Sequence, residues 1–140
     1  MAIRLETPKS VGRNVRPVAK ASGTVITKDT IIENIVATGL VQPADSSTIV
    51  AEVAGVAVET IAAVDARTTV DIEETMENAE YKMAVTNNSD AAHNGQWMVL
   101  TDAGTVNNTG THSATGIVAQ IRPYGAAADK LIIGKFVKTA

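Results

Sequence analysis

The stretch TIVAEVAGVAVETIAAV (48–64) is the most informative part of the chain, because it is a long run of mostly small apolar residues with a single glycine in its middle. Runs of this composition are typical of strands that lie in a protein core. Gly55 stands in the middle, and a glycine inside a strand often marks a bulge or a bend. The stretch therefore predicts two buried strand segments that meet at Gly55.

Short β patterns continue on both sides of this run. TTVDIEE (68–74) alternates Val70 and Ile72 with acidic residues, which is typical of a half-exposed strand. Turn-rich segments such as NNSDAAHNG (87–95) separate the patterns. Further strands are predicted in 23–28, at the end of 76–86, and in 96–101, 115–123 and 130–138. About eight short strands at this spacing predict an all-β fold, either a small β-sandwich or a barrel-like domain.

TIIENIVATG (30–39) fits two structures. Its apolar residues lie on one face of a helix that Asp29 could begin and Gly39 could end. Against a helix, β-branched residues lose side-chain freedom in helices and are common in strands. We therefore expect a strand here.

The first 21 residues differ from the rest of the chain. Pro8 and Pro17 favour extended backbone before them, and the segment shows little periodicity. We interpret 1–21 as an extended basic N-terminal arm that becomes ordered where it lies on a surface. Residues 22–140 then form a single β domain.

The composition excludes several classes of function. Aromatic residues make up 3% of the chain, so the core is built from aliphatic residues and few rings are available to stack on nucleic-acid bases. With no cysteine, disulfides and thiolate chemistry are excluded. There is no run of about 18 apolar residues for a membrane span, and the charged first twenty residues do not resemble a signal peptide. We expect a soluble protein that stays in the cell that makes it.

Charge is strongly segregated along the chain. Residues 1–28 hold six basic residues against Glu6, whereas 29–81 hold eleven acidic residues against Arg67. The pattern is typical either of a solvated surface with a loose tail or of an arm that docks on an acidic surface of another protein. Nucleic acid is the weaker hypothesis, because the acidic remainder would repel phosphate.

Candidates for chemistry are few. A metal site would need two histidines and two carboxylates from separate loops, and a Ser/His/Asp triad would need Ser89 or Ser113, without a supporting motif. The candidate metal ligands are His93, His112, Asp90 and Asp102. Exposed loop residues are the better interpretation, and we expect no catalytic residue, metal or cofactor.

Two further segments carry weaker hypotheses. The acidic run DIEETMENAE (71–80) lacks the glycine and alternating Asp/Asn of a calcium loop, so we expect a solvated edge or an electrostatic docking face. EYKMAV (80–85) is faintly similar to the lysine site of biotin- or lipoyl-carrying domains, which present the modified lysine at a hairpin tip. Lys82 would be that lysine.

TDAGTVNNTGTHSATG (101–116) lies between two predicted strands. Asp102, Gly104 and the Asn107–Asn108 pair are residues that turns require. Val106 could form a brief β contact between two turns. The stretch predicts a long connection with exposed polar residues and no ligand for His112.

The order of these motifs resembles the small β-rich decoration, or cement, proteins of tailed bacteriophage heads. The resemblance covers roughly residues 22–138, and in that family a GVA segment, a DAGTV turn and closing GIV and IIG strands recur in this order. It is carried here by SGTVITKDTII, ATGLVQPA, VAGVAVET, TTVDIEE, GQWMVLTDAGTVNNTG, TGIVAQIRPYG and KLIIGKFV.

The resemblance implies a non-enzymatic virion protein that is made in the host cytoplasm. Such proteins bind the outer surface of an expanded capsid, often as homotrimers at local three-fold positions, and bridge neighbouring major capsid proteins. It implies no nucleic-acid or membrane partner. As interface residues we expect the basic residues of the arm, Arg4, Lys9, Arg13 and Arg16. Alternatives are a head-fibre base, a tail-associated protein, or a β carrier or ligand-binding domain.

Overall fold

The computed structural model describes residues 3–5, 14–75, 79–109 and 116–137. Within these ranges the backbone forms twelve strands and three single-turn 3-10 helices, with no α-helix, which confirms the all-β class. There are more strands than about eight because several have only two or three residues, too few to show a periodicity. The strands are β1 (Ile3–Leu5), β2 (Val15–Ala19), β3 (Ile31–Asn34), β4 (Val41–Pro43), β5 (Val53–Ala57), β6 (Thr69–Glu73), β7 (Tyr81–Val85), β8 (Trp97–Met98), β9 (Leu100–Asp102), β10 (Thr105–Val106), β11 (Val118–Pro123) and β12 (Leu131–Phe136).

Seven strands form one sheet, in the order β8–β11–β12–β7–β10–β9, with β1 also paired to β7. The two ends of this order, β8 and β9, are separated along the chain by Val99 alone. One extended segment, 97–102, therefore pairs with β11 through its first half and with β10 through its second. This arrangement nearly closes the sheet, and we call it the large barrel.

Strand β7 is the centre of the large barrel. Its one edge pairs with β12, and its other edge is shared by β1 and by the parallel strand β10. The Tyr81 ring packs edge-on against Phe136, with 5.0 Å between ring centroids. Around this pair lies the larger core cluster, which also includes Ile3, Met83, Val85, Met98, Leu100, Val106, Ile117, Val118 and Ile132.

The other five strands form the second sheet, in the order β2–β6–β5–β3–β4. Its two outer strands meet after β2, where Lys20 bridges Val41 and the Ala21 N–H donates to the Val41 carbonyl over 3.0 Å. We call this sheet the small barrel. It encloses an aliphatic cluster of Ile26, Ile32, Val41, Ala57, Ile61, Val70 and Ile72.

Strands β3 and β5 join the two barrels, because they bury both faces. Ile31 and Val56 pack in the larger core cluster, whereas their neighbours Ile32 and Ala57 pack in the smaller one. The Ile31 N–H also donates to the Ala103 carbonyl of the large barrel over 2.7 Å. A strand covered on both faces needs consecutive apolar residues, which explains the continuous apolar run around Gly55.

Gly55 is required by the close approach of a neighbouring strand. A Cβ atom at this position would lie 2.4 Å from the backbone oxygen of Glu73 in β6. Beside it, the register between β3 and β5 shifts between Ile32 and Glu33, so the predicted irregularity at the glycine is confirmed. The prediction of two strand segments was wrong, because after β5 only Ile61 makes a bridge, to Ile26. For the same reason 23–28 is not a strand.

The strand prediction for 30–39 is confirmed for β3 only. Residues 35–39 form a turn in which the Gly39 N–H donates to the Ile35 carbonyl over 2.8 Å. Gly39 has a φ of +71°, a backbone conformation that favours glycine.

Two parts of the N-terminal segment lie in the sheets. β1 pairs with β7, and β2 pairs over its whole length with β6. The division of the chain at residue 21 stays a prediction. Where it is described, the segment is extended as expected and lies on its own chain. None of the described helices is long or apolar enough to cross a membrane.

Candidate protein interface

Three loops leave the small barrel around one point. The Lys20 N–H donates to the Thr68 carbonyl over 2.9 Å, and the next residue, Ala21, is bonded to Val41. At their other ends, loops 21–25 and 62–68 are held together by the pairing of Ile26 with Ile61. The third loop, 35–40, ends directly before Val41. We call these three loops the loop end of the small barrel.

Each loop presents one exposed valine. The exposed fractions are 50% for Val25, 84% for Val36 and 95% for Val64. Single exposed apolar residues are ordinary on protein surfaces. Three exposed valines on loops that share an anchor are the candidate for an apolar surface, and such surfaces are typical of protein interaction sites.

The loop end carries little free charge. Within the three loops the charged residues are Asp65 and Arg67, whose side chains are bonded over 3.1 Å, and Arg67 also pairs with Glu59. The Arg67 backbone N–H donates to Asp65 over 2.9 Å and holds the pKa of that carboxyl below its ordinary value. Because these charged side chains pair with one another, the loop end is suited to an apolar partner.

The predicted interface residues of the arm are only partly described. Arg16 lies in β2, where its guanidinium pairs with Glu74 of the same chain. The backbone of Arg4 pairs in register with Lys82. Lys9 and Arg13 lie outside the described residues. The described pairing of Arg16 is therefore to the acidic segment of its own chain.

The outer face of the large barrel combines aromatic and basic side chains. The Lys82 ammonium lies 4.6 Å above the Tyr124 ring, and Arg122 donates to Glu80 over 2.9 Å. Lys82 is in the middle of β7, whereas a carrier domain presents its modified lysine at a hairpin tip. Its surroundings are therefore those of a cation held on a sheet.

The candidates for chemistry lie apart in local turns. The Asp90 carboxylate accepts from the Ala92 N–H over 2.9 Å, and Asp102 accepts from Gly104 over 2.9 Å. His93 belongs to the 3-10 turn after Asp90, whereas His112 and Ser113 lie outside the described residues. Over the described ranges, no group of three or more histidines and carboxylates could hold a metal ion.

The acidic run divides between different environments. Glu73 is buried between β5 and β2, and Glu74 pairs with Arg16 at the end of β6. Glu80 belongs to the large barrel through Arg122. Glu77 lies outside the described residues. The run is therefore not one continuous acidic face over the part that the structure describes.

The stretch 101–116 is a hairpin followed by a connection. Asp102 turns the chain, and the predicted β contact of Val106 is confirmed as part of β10. Asn108 is buried: its side-chain oxygen accepts from Asn87, and its nitrogen donates to the carbonyls of Asn87 and Asn88. This asparagine ties the connection to loop 87–96. Residues 110–115 lie outside the described part.

Sequence analysis missed the loop end, because it assigned 30–39 to a strand and 48–64 to two buried strand segments. The sequence of 30–39 did contain a signal for the exposure of Val36. If the strand ends in a turn at Gly39, Val36 lies in that turn and not in the strand. For Val64 no such signal exists. Its apolar neighbours are indistinguishable in sequence from core residues.

A scan against models of protein families and a search of curated proteins found no match for this chain.

Proposed function

We propose that this chain is a structural virion protein that binds the outer surface of an expanded phage capsid and bridges major capsid proteins. The observation that carries the proposal is the loop end, where Val25, Val36 and Val64 are exposed on a shared anchor. The resemblance of the sequence to phage head decoration proteins supplies the identity of the partner. In this proposal the loop end docks on an apolar patch of the major capsid protein.

The physical reason is the burial of apolar surface. Covering an exposed valine contributes about 1.5–3 kcal/mol before the costs of association. A few such contacts per copy are weak alone. A homotrimer that engages three capsid subunits at once gains strength from high effective concentration, so small patches are sufficient on a symmetric shell.

The basic N-terminal residues have a secondary role in this proposal. Arg16 already pairs with Glu74, so transferring it to a capsid carboxylate exchanges one exposed ion pair for another, with a small net gain. Arg4, Lys9 and Arg13 remain candidates for electrostatic contacts. Binding that depends on them weakens as salt rises, whereas binding through the loop end does not.

The test is sedimentation of the purified protein with expanded and unexpanded heads of its phage. We expect binding to expanded heads only. The variant V36D/V64D places two charges in the loop end and should reduce bound protein at least tenfold. The matched control, Y124D, introduces a charge at an exposed apolar residue of the large barrel and should bind as the unaltered protein does.

The outcomes separate the parts of the proposal. Failure of the unaltered protein to bind either form of head contradicts the proposed function. Equal binding of V36D/V64D and the control contradicts the assignment to the loop end alone. If binding falls steeply between low and high salt while V36D/V64D still binds, the basic segment is the docking surface.

A further inference from the structure

Loop 87–96 is fastened to the large barrel by one buried glutamine. The Gln120 side-chain nitrogen donates to the Asp90 carbonyl over 2.7 Å and to the Asn94 side-chain oxygen over 2.9 Å. The Gly95 N–H in turn donates to the Gln120 carbonyl over 2.8 Å. The orientation of the Gln120 amide is thereby fixed, because a flipped amide would place its oxygen against two acceptors.

Three buried polar atoms at this loop have no hydrogen-bond partner in the chain as described. They are Gln120 Oε1, Ser89 Oγ and His93 Nδ1. The Gln120 residue is 2% exposed and Ser89 is 6% exposed. Buried polar groups in folded proteins are almost always paired, so three unpaired atoms beside one loop require a common explanation.

All three groups are arranged around Asp90. Its carbonyl accepts from Gln120 Nε2 and also from the His93 N–H, over 3.1 Å. Ser89 is its neighbour in sequence and is held by donation of its N–H to the Ala127 carbonyl over 3.1 Å. The three residues are therefore linked through Asp90 where loop 87–96 contacts β11.

Their chemistry is complementary to one small guest. Gln120 Oε1 only accepts, His93 Nδ1 accepts when the ring proton is on Nε2, and Ser89 Oγ–H donates. A guest that donates two hydrogen bonds and accepts one satisfies all three atoms. Water has this capacity, and buried waters make about three such bonds.

We propose that loop 87–96 encloses a single bound water molecule, held by Gln120 Oε1, His93 Nδ1 and Ser89 Oγ. The water completes the fastening of the loop to the large barrel. The site is independent of the proposed capsid binding. A monovalent cation could use the same oxygen atoms, and the experiment distinguishes it from water.

The direct test is a crystal structure of the full chain at high resolution. We expect a well-ordered water within hydrogen-bond distance of at least two of the three atoms. A crystal soaked in a rubidium salt should show no anomalous peak there. An anomalous peak would identify a cation site instead, and pairing of the three atoms with protein groups would overturn the proposal.

The variant Ser89→Ala gives a second test, by hydrogen exchange of the Gly95 amide. If the water is present, the variant removes its donor, and exchange should accelerate by about tenfold, corresponding to about 1.4 kcal/mol. If no water is bound, the variant only removes an unsatisfied hydroxyl, and exchange should be unchanged or slower, which would overturn the proposal. Ser22→Ala, at an exposed loop serine, is the control and should change nothing.

Discussion

The two barrels differ in how they are built and in what they expose. The large barrel has an aromatic pair in its core and is nearly closed by one continuous segment, 97–102. The small barrel has an aliphatic core, closes at the single bridge from Lys20 to Val41, and presents valines on its loops. We therefore propose that the large barrel contributes most of the stability and that the loop end of the small barrel is the binding surface.

We nevertheless expect the two barrels to unfold as one unit, because β3 and β5 contribute to both core clusters. A substitution in one barrel should therefore be detected in the other. The following predictions test this coupling and the difference in construction.

The largest effect is expected for Tyr81→Ala in the large barrel. It removes a fully buried ring from the contact with Phe136 and should lower the free energy of unfolding by about 3–5 kcal/mol. Unfolding in urea can be monitored in the large barrel by Trp97 fluorescence and in the small barrel by its amide NMR signals. Tyr124→Ala, at an exposed ring, should cost no more than about 1 kcal/mol. If the amide signals of the small barrel persist at urea concentrations where Trp97 fluorescence already shows unfolding, the two barrels do not unfold as one unit.

Gly55→Ala should have the next largest effect. The added Cβ meets the backbone oxygen of Glu73 at 2.4 Å, and a backbone atom cannot move aside as a side chain does. We expect a loss near the upper end of about 1–3 kcal/mol, measured by chemical unfolding. The control is Gly39→Asn, where a Cβ has open space and asparagine tolerates the positive φ. Equal losses at both glycines would show that close approach of β6 is not the cause.

Thr48→Val tests a buried polar contact beside β3 and β4 of the small barrel. Thr48 Oγ1 donates to the buried Glu33 carboxylate over 2.6 Å and accepts from the Asp45 N–H over 2.9 Å. Gln42 Nε2 supplies a second donor to Glu33, over 2.9 Å. Losing the hydroxyl should cost about 1–3 kcal/mol, because it leaves buried groups unsatisfied. Thermal unfolding measures this loss of stability, with Thr69→Val, at an exposed strand residue, as the control. If Thr48→Val does not lower the stability, the Thr48 hydroxyl has no stabilising role.

The smallest effect concerns Asp45 in the same turn. Donation from the Ser47 hydroxyl, followed by that from the Ser47 N–H, lowers the pKa of Asp45 below 3.8. A lowered pKa stabilises the fold above the unfolded-state pKa, near 3.9, and this contribution is lost as pH falls through the folded-state pKa. Ser47→Ala should raise the pKa of Asp45 in an NMR titration. An unchanged titration would show that the hydroxyl does not act on the carboxylate.

Much of the fold could be predicted from local patterns. The alternation in 68–74 and the apolar run at 130–138 correspond to β6 and β12, and Asp102 with Gly104 marks a real turn. The predicted strand 96–101 and the predicted β contact of Val106 are also present, as β8, β9 and β10. Their partners could not be predicted, since the pairing of β8 with β11 and of β10 with β7 joins distant parts of the chain.

The candidate interface was the least predictable part. The segregation of charge along the sequence indicated the basic N-terminus as the interface. In the structure, however, Arg16 pairs with Glu74 of the same chain, 58 residues away in sequence. Val64 and Val70 are the same residue type, so residue type alone cannot distinguish them, although Val64 is exposed and Val70 lies in a core. Which apolar residue is buried depends on which strands meet.

The all-β class, the mainly aliphatic core and the irregular strand at Gly55 could all be predicted from the amino-acid sequence. These properties follow from residue type and spacing, which act over a few neighbours. The folded structure was needed to show that β3 and β5 contribute to two cores, that three loops share one anchor, and that Gln120 fastens loop 87–96. Those features depend on contacts between residues far apart in sequence, and no local pattern encodes them.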